Sequence, residues 1–223
     1  MCGRFSQALP AELLVDLFGA TDVRPWKPEP SWNVAPSQSV TVVGRDGERD
    51  RRVLTLMHWG VLAPWEKVPE LAKVRPINAR CETIASSKLF RRAFQQRRCL
   101  VPADCWFEWQ KVSGQKLPHA LARADRQPVV LGGIWECWRG PVGDRALTLA
   151  IVTTPATEEL ASIHDRMPLV LQPEAWPLWL GEAEGDVEGL MRAAEPGRIV
   201  AWRVGRAVGS PRNNGPELLA VAA

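Results

Sequence analysis

Apolar and polar positions alternate through the middle of the chain, and that pattern predicts strands. Cys99-Leu100-Val101, Cys105 to Lys111, His119 to Arg123, Val129 to Trp138 and Ala146 to Thr154 read as successive strands. Short polar or Gly/Pro breaks separate them, as in an antiparallel meander. Upstream, Val40 to Val43 and Val53 to Met57 flank Asp46-Gly47 and predict a β-hairpin with a longer loop. Two short strands, Leu169 to Leu171 and Ile199 to Val204, complete the set. Helical spacing is sparser. Leu13, Leu14, Leu17 and Phe18 share one face of a helix over Pro10 to Ala20. Ile84, Leu89, Phe90 and Phe94 predict a helix over Thr83 to Arg97, with Thr83 as its N-cap and arginines on the exposed face. Shorter helices are predicted over Thr157 to Ile163, Pro173 to Leu180 and Val187 to Ala194. Pro25 to Pro36 reads as an extended, buried-edge loop. With no internal repeat or linker, the pattern predicts one α+β domain over residues 1–223. Its sheet is curved, mostly antiparallel and barrel-like, with scattered short helices.

Composition changes this picture little. A chain of 223 residues is long enough to bury a core unaided. No run of 18 apolar residues and no signal-like amino terminus is present, so a cytoplasmic location is expected, at the nucleoid if the source is bacterial, with no membrane partner. The five cysteines form no CxxC pair and have no metal-like spacing. A net charge of +3 permits nucleic-acid binding without arguing for it. Eleven Trp and no Tyr make an unusual aromatic set. Most of these Trp suit a core, and some suit base stacking.

Four segments carry chemistry beyond what a fold needs. The first is Cys2. Loss of Met1 leaves an amine and a thiol on one residue, a 1,2-aminothiol that condenses with an aldehyde to an imine and closes to a thiazolidine. An α-amine has a pKa of about 7.7–8.0, so part of it is neutral near pH 7. A nearby cation, with Arg4 the candidate, would raise the thiolate fraction. The second segment holds Asn78, whose amide suits a sugar or an imine, and Arg80, whose guanidinium suits a phosphate. The third holds Glu108 between Phe107 and Trp109. Alternation puts Glu108 on one face with Trp106. That face is either exposed to solvent or an apolar pocket that raises the carboxyl pKa. The fourth is His164-Asp165-Arg166, in a loop, where an imidazole can shuttle protons. His58 and His119 lie in strand-like runs and read as structural.

These segments occur in an order that resembles the SOS response-associated peptidase (SRAP) family, the abasic-site shielding proteins. The matching stretches are Met1 to Phe5, Trp32 to Pro36, Trp59-Gly60 through Trp65, Ile77 to Thr83, Pro102 to Trp109, Ile163 to Pro168, and the C-terminal run through Leu218. The resemblance implies a self-processing protein that binds single-stranded DNA and crosslinks covalently to an abasic site. By position, Cys2 would be the nucleophile, Asn78 would orient the sugar, Glu108 would manage protons, and His164 would assist ring opening. Arg4, Arg80 and Arg166 would hold phosphates, and Trp65 would stack a base. Asn33, Pro36 and Thr153 fall on DNA-lining segments. The sequence gives no support for a metal or organic cofactor, and the expected partners extend to replication-fork proteins. The family name implies peptidase activity, with Met1 as the simplest substrate. The chain departs from the pattern at Cys105, where the family usually has Gly. A side chain there either crowds the turn or demands a backbone that tolerates a Cβ, and it puts a second thiol near the presumed site as an oxidation liability. Ala63-Pro64 is a smaller departure.

Two rival readings remain open at this level. One is an N-terminal-nucleophile amidohydrolase of the glutamine amidotransferase kind, in which Cys2 attacks an amide. The other is a non-catalytic single-strand-binding module built on Trp and Arg.

Overall fold

The structure is a computed structural model that describes residues 2–27, 29–67, 75–140 and 143–222. Thirteen strands and four short α-helices are found among them. The strands are β1 (Phe5–Gln7), β2 (Thr21–Asp22), β3 (Ser31–Val34), β4 (Ser39–Asp46), β5 (Arg51–Trp59), β6 (Asn78–Arg80), β7 (Arg98–Ala103), β8 (Cys105–Val112), β9 (Gln115–Arg123), β10 (Val129–Arg139), β11 (Arg145–Pro155), β12 (Arg166–Pro168) and β13 (Ile199–Arg203). The helices are α1 (Ala11–Phe18), α2 (Arg91–Gln96), α3 (Glu158–Ala161) and α4 (Trp176–Leu180).

Five strands close on themselves. β11 pairs with β10, β10 with β7, β7 with β4 and β4 with β5, and β5 returns in parallel to β11 at Thr148↔His58. Closure removes the exposed edges that an open sheet of these strands would carry. A second sheet runs in the order β13-β9-β8-β1-β3. The architecture is α+β and mostly antiparallel, as the alternation predicted.

Two apolar clusters explain why the barrel strands are apolar on both sides. Val40, Val42, Val101, Leu131 and Ile151 pack with Phe5 and Trp106 of the second sheet. Their sequence neighbours Val43, Leu100, Val130, Ala150 and Val152 pack with Leu14 and Phe18 of α1 and Trp179 of α4. Strands buried on both faces lose the simple alternation of a half-exposed sheet. Close packing leaves no slack: a Cβ added to Gly133 would meet Cys99 Sγ at 2.9 Å. No helix among the described residues is long and apolar enough to cross a membrane.

Several predicted elements shift. Residues 83–90 form turns rather than the first half of a helix, and Thr83 caps no helix, because only Arg91–Gln96 is α-helical. Ile84 is nevertheless buried beside Phe94, so its apolar character serves packing without helical periodicity. The run Leu169–Leu171 contributes only an isolated bridge, Val170 to Leu131, while the strand lies just before it in β12. The predicted helix over Val187 to Ala194 shrinks to a 3₁₀ turn at Glu188–Leu190. The Pro25–Pro36 loop contains β3, and its residues before β3 are largely exposed rather than buried.

Candidate active site

β1 brings the amino terminus to the centre of the second sheet. It pairs with β3 on one side (Phe5↔Val34) and with β8 on the other (Phe5↔Trp106). The Phe107 N–H donates to Arg4 O at 2.9 Å and extends this pairing toward Cys2. Asp104 pins the far end, accepting from Ser6 Oγ at 2.5 Å and from the Ala8 N–H at 2.7 Å. The result is a chain start held in the core: Cys2 has no solvent exposure and packs in the cluster of Phe5, Trp59, Trp106 and Met167.

Asn78 reaches Cys2 from β6. That strand lies parallel to the distal part of β11, with Asn78 opposite Ile151. Asn78 Nδ2 donates to Cys2 O at 2.8 Å. Its Oδ1 is buried and has no hydrogen-bond partner among the described residues, which leaves an acceptor held in the site. A buried unpaired acceptor costs roughly 1–3 kcal/mol, so it marks a place where a ligand donor is stabilising.

Glu108 comes from β8, on the same face as Trp106. It is 3% exposed, so the pocket reading holds and the solvent-facing reading does not. Burial raises its pKa from an ordinary 4.5 to about 7, and the Asp165 carboxylate adds to the rise. Glu108 in turn helps raise the Cys2 thiol, although burial is the larger cause there. The Arg4 backbone does lower the Cys2 pKa, but burial and Glu108 outweigh it, so the expected gain in thiolate is absent and the thiol is kept protonated. A protonated, desolvated thiol is a poor nucleophile until a base takes its proton.

His164 lies in the loop between α3 and β12. Its Nδ1 accepts from the Arg166 N–H at 3.0 Å and lies 2.9 Å from Asp165 Oδ1. Nδ1 therefore faces a donor in the Arg166 N–H and an acceptor in the Asp165 carboxylate, two contacts that fit opposite tautomers of the neutral ring. Burial lowers the His164 pKa and favours that neutral form. His164 and Glu108 line a common pocket of about 290 Å³ together with Trp109, Lys111, Lys116 and Gly209. The four candidate catalytic residues thus divide into two linked pairs. Cys2 and Asn78 share a hydrogen bond, Glu108 and His164 share a pocket, and Cys2 lies within electrostatic reach of Glu108.

The candidate DNA-contacting residues fall into two kinds. Arg80 and Trp65 are exposed, and the Lys88 ammonium lies 5.4 Å from the Trp65 ring centre. Pro36 is half-buried in the turn after β3. The others are engaged by the protein. Arg4 Nη1 donates to Asn33 Oδ1 and to Val208 O, both at 2.9 Å, and its guanidinium stacks 5.9 Å from the Trp109 ring centre. Asn33 is buried and donates through Nδ2 to the carbonyls of Val208, Ser210 and Asn213. Arg166 forms a two-pronged ion pair with Glu82 and donates to Thr153 O at 2.7 Å. That guanidinium holds the Glu82 carboxyl down at about 2. Thr153 is buried beneath it.

Cys105 follows the second of the two readings of the turn, but its thiol lies away from the site. Its backbone is not among the positive-φ positions, so the turn tolerates a Cβ. Its thiol packs with Phe107, Ala120 and Val208 in a third cluster, on the opposite face of β8 from Trp106 and Glu108. No second thiol is therefore added to the site. His119, read as structural, is buried with Nδ1 at 3.1 Å from Leu117 O. The pocket-lining Lys111, Lys116 and Gly209 were not singled out from the sequence. Only their spacing from Glu108 and the turn at Ser113-Gly114 could have pointed to the two lysines.

A model of the family described as SOS response associated peptidase (SRAP) matches residues 1–211. The chain belongs to the SRAP family. It is 38% identical over 231 residues to "Abasic site processing protein YedK" of Escherichia coli (strain K12), covering 98% of this chain and 99% of that protein. It is 33% identical over 224 residues to "Abasic site processing protein YoqW" of Bacillus subtilis (strain 168), covering 98% and 99%. A crystal structure of a Bacteroides thetaiotaomicron protein superposes over 100% of both chains with a TM-score of 0.88 at 22% identity, which shows a shared fold. In this SRAP chain the matched residues include every candidate catalytic residue described above.

Proposed function

We propose that this SRAP protein, once Met1 is removed, traps abasic sites in single-stranded DNA as a thiazolidine on Cys2 and so shields them. The observation that carries the reading is the linkage of four separate parts of the chain: Asn78 bonds to Cys2, Cys2 lies within electrostatic reach of Glu108, and Glu108 shares a pocket with His164. The names of the relatives support abasic-site processing as the reaction class.

The chemistry follows from the geometry. An abasic sugar is a cyclic hemiacetal, and it reacts only when open. His164 serves ring opening as a proton shuttle, taking the C1′ hydroxyl proton and delivering it to the ring oxygen as the C1′–O bond breaks. The amine of mature Cys2 then adds to the C1′ aldehyde. Glu108, with a pKa near 7, takes a proton from the attacking ammonium and returns one to the carbinolamine hydroxyl, which leaves as water. The thiol adds to the resulting iminium carbon and passes its proton to the site base. The sum is amine plus thiol plus aldehyde giving thiazolidine plus one water. Ring closure removes the iminium, which would otherwise hydrolyse or promote strand cleavage by β-elimination. Asn78 holds the Cys2 carbonyl through Nδ2 and offers Oδ1 to the amine or to a sugar hydroxyl. Arg80 and Trp65 supply exposed phosphate and base contacts, while Asn33 acts through Arg4, whose guanidinium it holds in place. The peptidase activity in the family name is assigned here to removal of Met1 from the chain's own amino terminus.

The test is intact mass and a denaturing gel after mixing the purified protein with an oligonucleotide carrying one abasic site. A heat-stable species at the summed mass minus one water is expected, and Cys2→Ala is expected to form none. A persistent adduct with Cys2→Ala, or glutamine hydrolysis in place of an adduct, would overturn the reading.

A further inference from the structure

The β8–β9 hairpin ends in a two-residue turn, Ser113-Gly114, with φ of 47° and 78°. Positive φ at both positions is the tight type I′ geometry that matches strand twist. Lys111 and Lys116 lie directly opposite one another across this hairpin. In such a hairpin the pair next to the turn, Val112 and Gln115, is hydrogen-bonded. The following pair is the closer, non-bonded kind, with Cα atoms about 4.5 Å apart. Two ammonium groups held there repel, and like charges directly opposite destabilise a sheet.

Neither lysine forms an ion pair among the described residues. A third cation, Arg206, is exposed and is held at the same tip by its Nη2 bond to Gln115 Oε1 at 2.8 Å. The hairpin is also fixed toward the site, since Gln110 Nε2 donates to Ser162 O at 3.1 Å, two residues before His164. Both lysines line the pocket that contains Glu108 and His164. The acidic groups facing that pocket are Glu108, which is buried, and Asp165, whose side chain is 86% exposed beside His164. The two cations therefore form a pair with no ion-pair partner among the described residues, at the mouth of the reacting pocket and on an element separate from the β6 and β12 arginines.

We propose that Lys111 and Lys116 form a phosphodiester subsite that grips the strand next to the sugar entering the pocket. The subsite rests on the function assigned above. An anion between the two ammonium groups turns their repulsion into two attractive contacts. The arrangement thus trades hairpin stability for DNA affinity.

The subsite is tested by anisotropy in a Cys2→Ala background, with an oligonucleotide carrying a tetrahydrofuran abasic analogue that cannot react. Lys111→Gln/Lys116→Gln is expected to weaken binding roughly fivefold. The slope of log K against log salt should fall by about 0.7 for each phosphate released. The melting temperature should stay level or rise, whereas a merely structural role would lower it. Arg91→Gln/Arg92→Gln removes the same charge from exposed α2 and should leave the slope near that of the parent. Replacing single flanking phosphates by neutral methylphosphonates should reveal one position that costs the parent protein affinity and costs the lysine variant none. Unchanged affinity and slope in the lysine variant, an equal loss in the α2 control, or equal losses at every methylphosphonate would overturn the subsite. A reactive abasic oligonucleotide run in parallel with Cys2-containing protein separates the two ideas. No adduct there overturns the function, while an adduct with an unchanged lysine variant overturns only the subsite.

Discussion

Glu108 should make the protein less stable and more active at the same time. Its pKa rises from 4.5 to about 7 because burial penalises the charged form. At about 1.36 kcal/mol for each tenfold change in acidity, this amounts to roughly 3 kcal/mol. The sign follows from proton counting. Below about pH 4.5 the folded and unfolded chains both hold the proton, and Glu108 costs nothing. Between about pH 4.5 and 7 the folded chain keeps the proton and the unfolded chain releases it, so stability falls as pH rises. Above about pH 7 the full cost is present. Glu108→Gln keeps the shape and removes the titration. The expected result in urea melts is a variant of near-parental stability at pH 4.5 that is about 3 kcal/mol more stable at pH 8.5. For a chain of this size that gap corresponds to a melting temperature higher by roughly 6–12 °C. The same variant should crosslink abasic DNA about 10²–10⁴ times more slowly. A Glu108→Gln protein less stable than the parent at pH 8.5, or a stability difference independent of pH, would refute the burial argument.

Two further outcomes follow from the described contacts. Trp65→Ala should weaken single-strand binding by roughly 1–3 kcal/mol in a fluorescence titration and leave the melting temperature nearly unchanged, because the ring is 54% exposed and stacks on no core residue. Asn33→Ala removes one acceptor and three donated bonds in a buried setting, so chemical denaturation should show a loss of roughly 2–4 kcal/mol; crosslinking should also slow through the loosened Arg4, and a variant of parental stability would show that the Asn33 contacts contribute little.

The sequence by itself determined the residue types, the strand pattern and the family. Period-two alternation in Cys105 to Lys111 placed Trp106 and Glu108 on one face, because successive side chains in a strand must point to opposite sides. The motifs around Cys2, Asn78, Glu108 and His164 named the candidate catalytic set through resemblance. Local pattern misled where apolar residues serve packing without regular periodicity. Ile84, Leu89 and Phe90 read as a helix face, yet they pack against the second cluster from a run of turns.

Only the tertiary structure decided which faces are covered and which charges are free. Alternation says that Glu108 shares a face with Trp106; it does not say that β1, from a hundred residues earlier, docks beside β8 and that Cys2 joins the cluster around Trp106. That long-range pairing buries the carboxyl and raises both its pKa and that of Cys2. The same holds for the arginines. Arg80 and Arg166 look alike as sequence, but Glu82 neutralises Arg166 while Arg80 stays exposed. Burial and charge pairing depend on which distant segments meet, and a linear pattern records only what each segment offers.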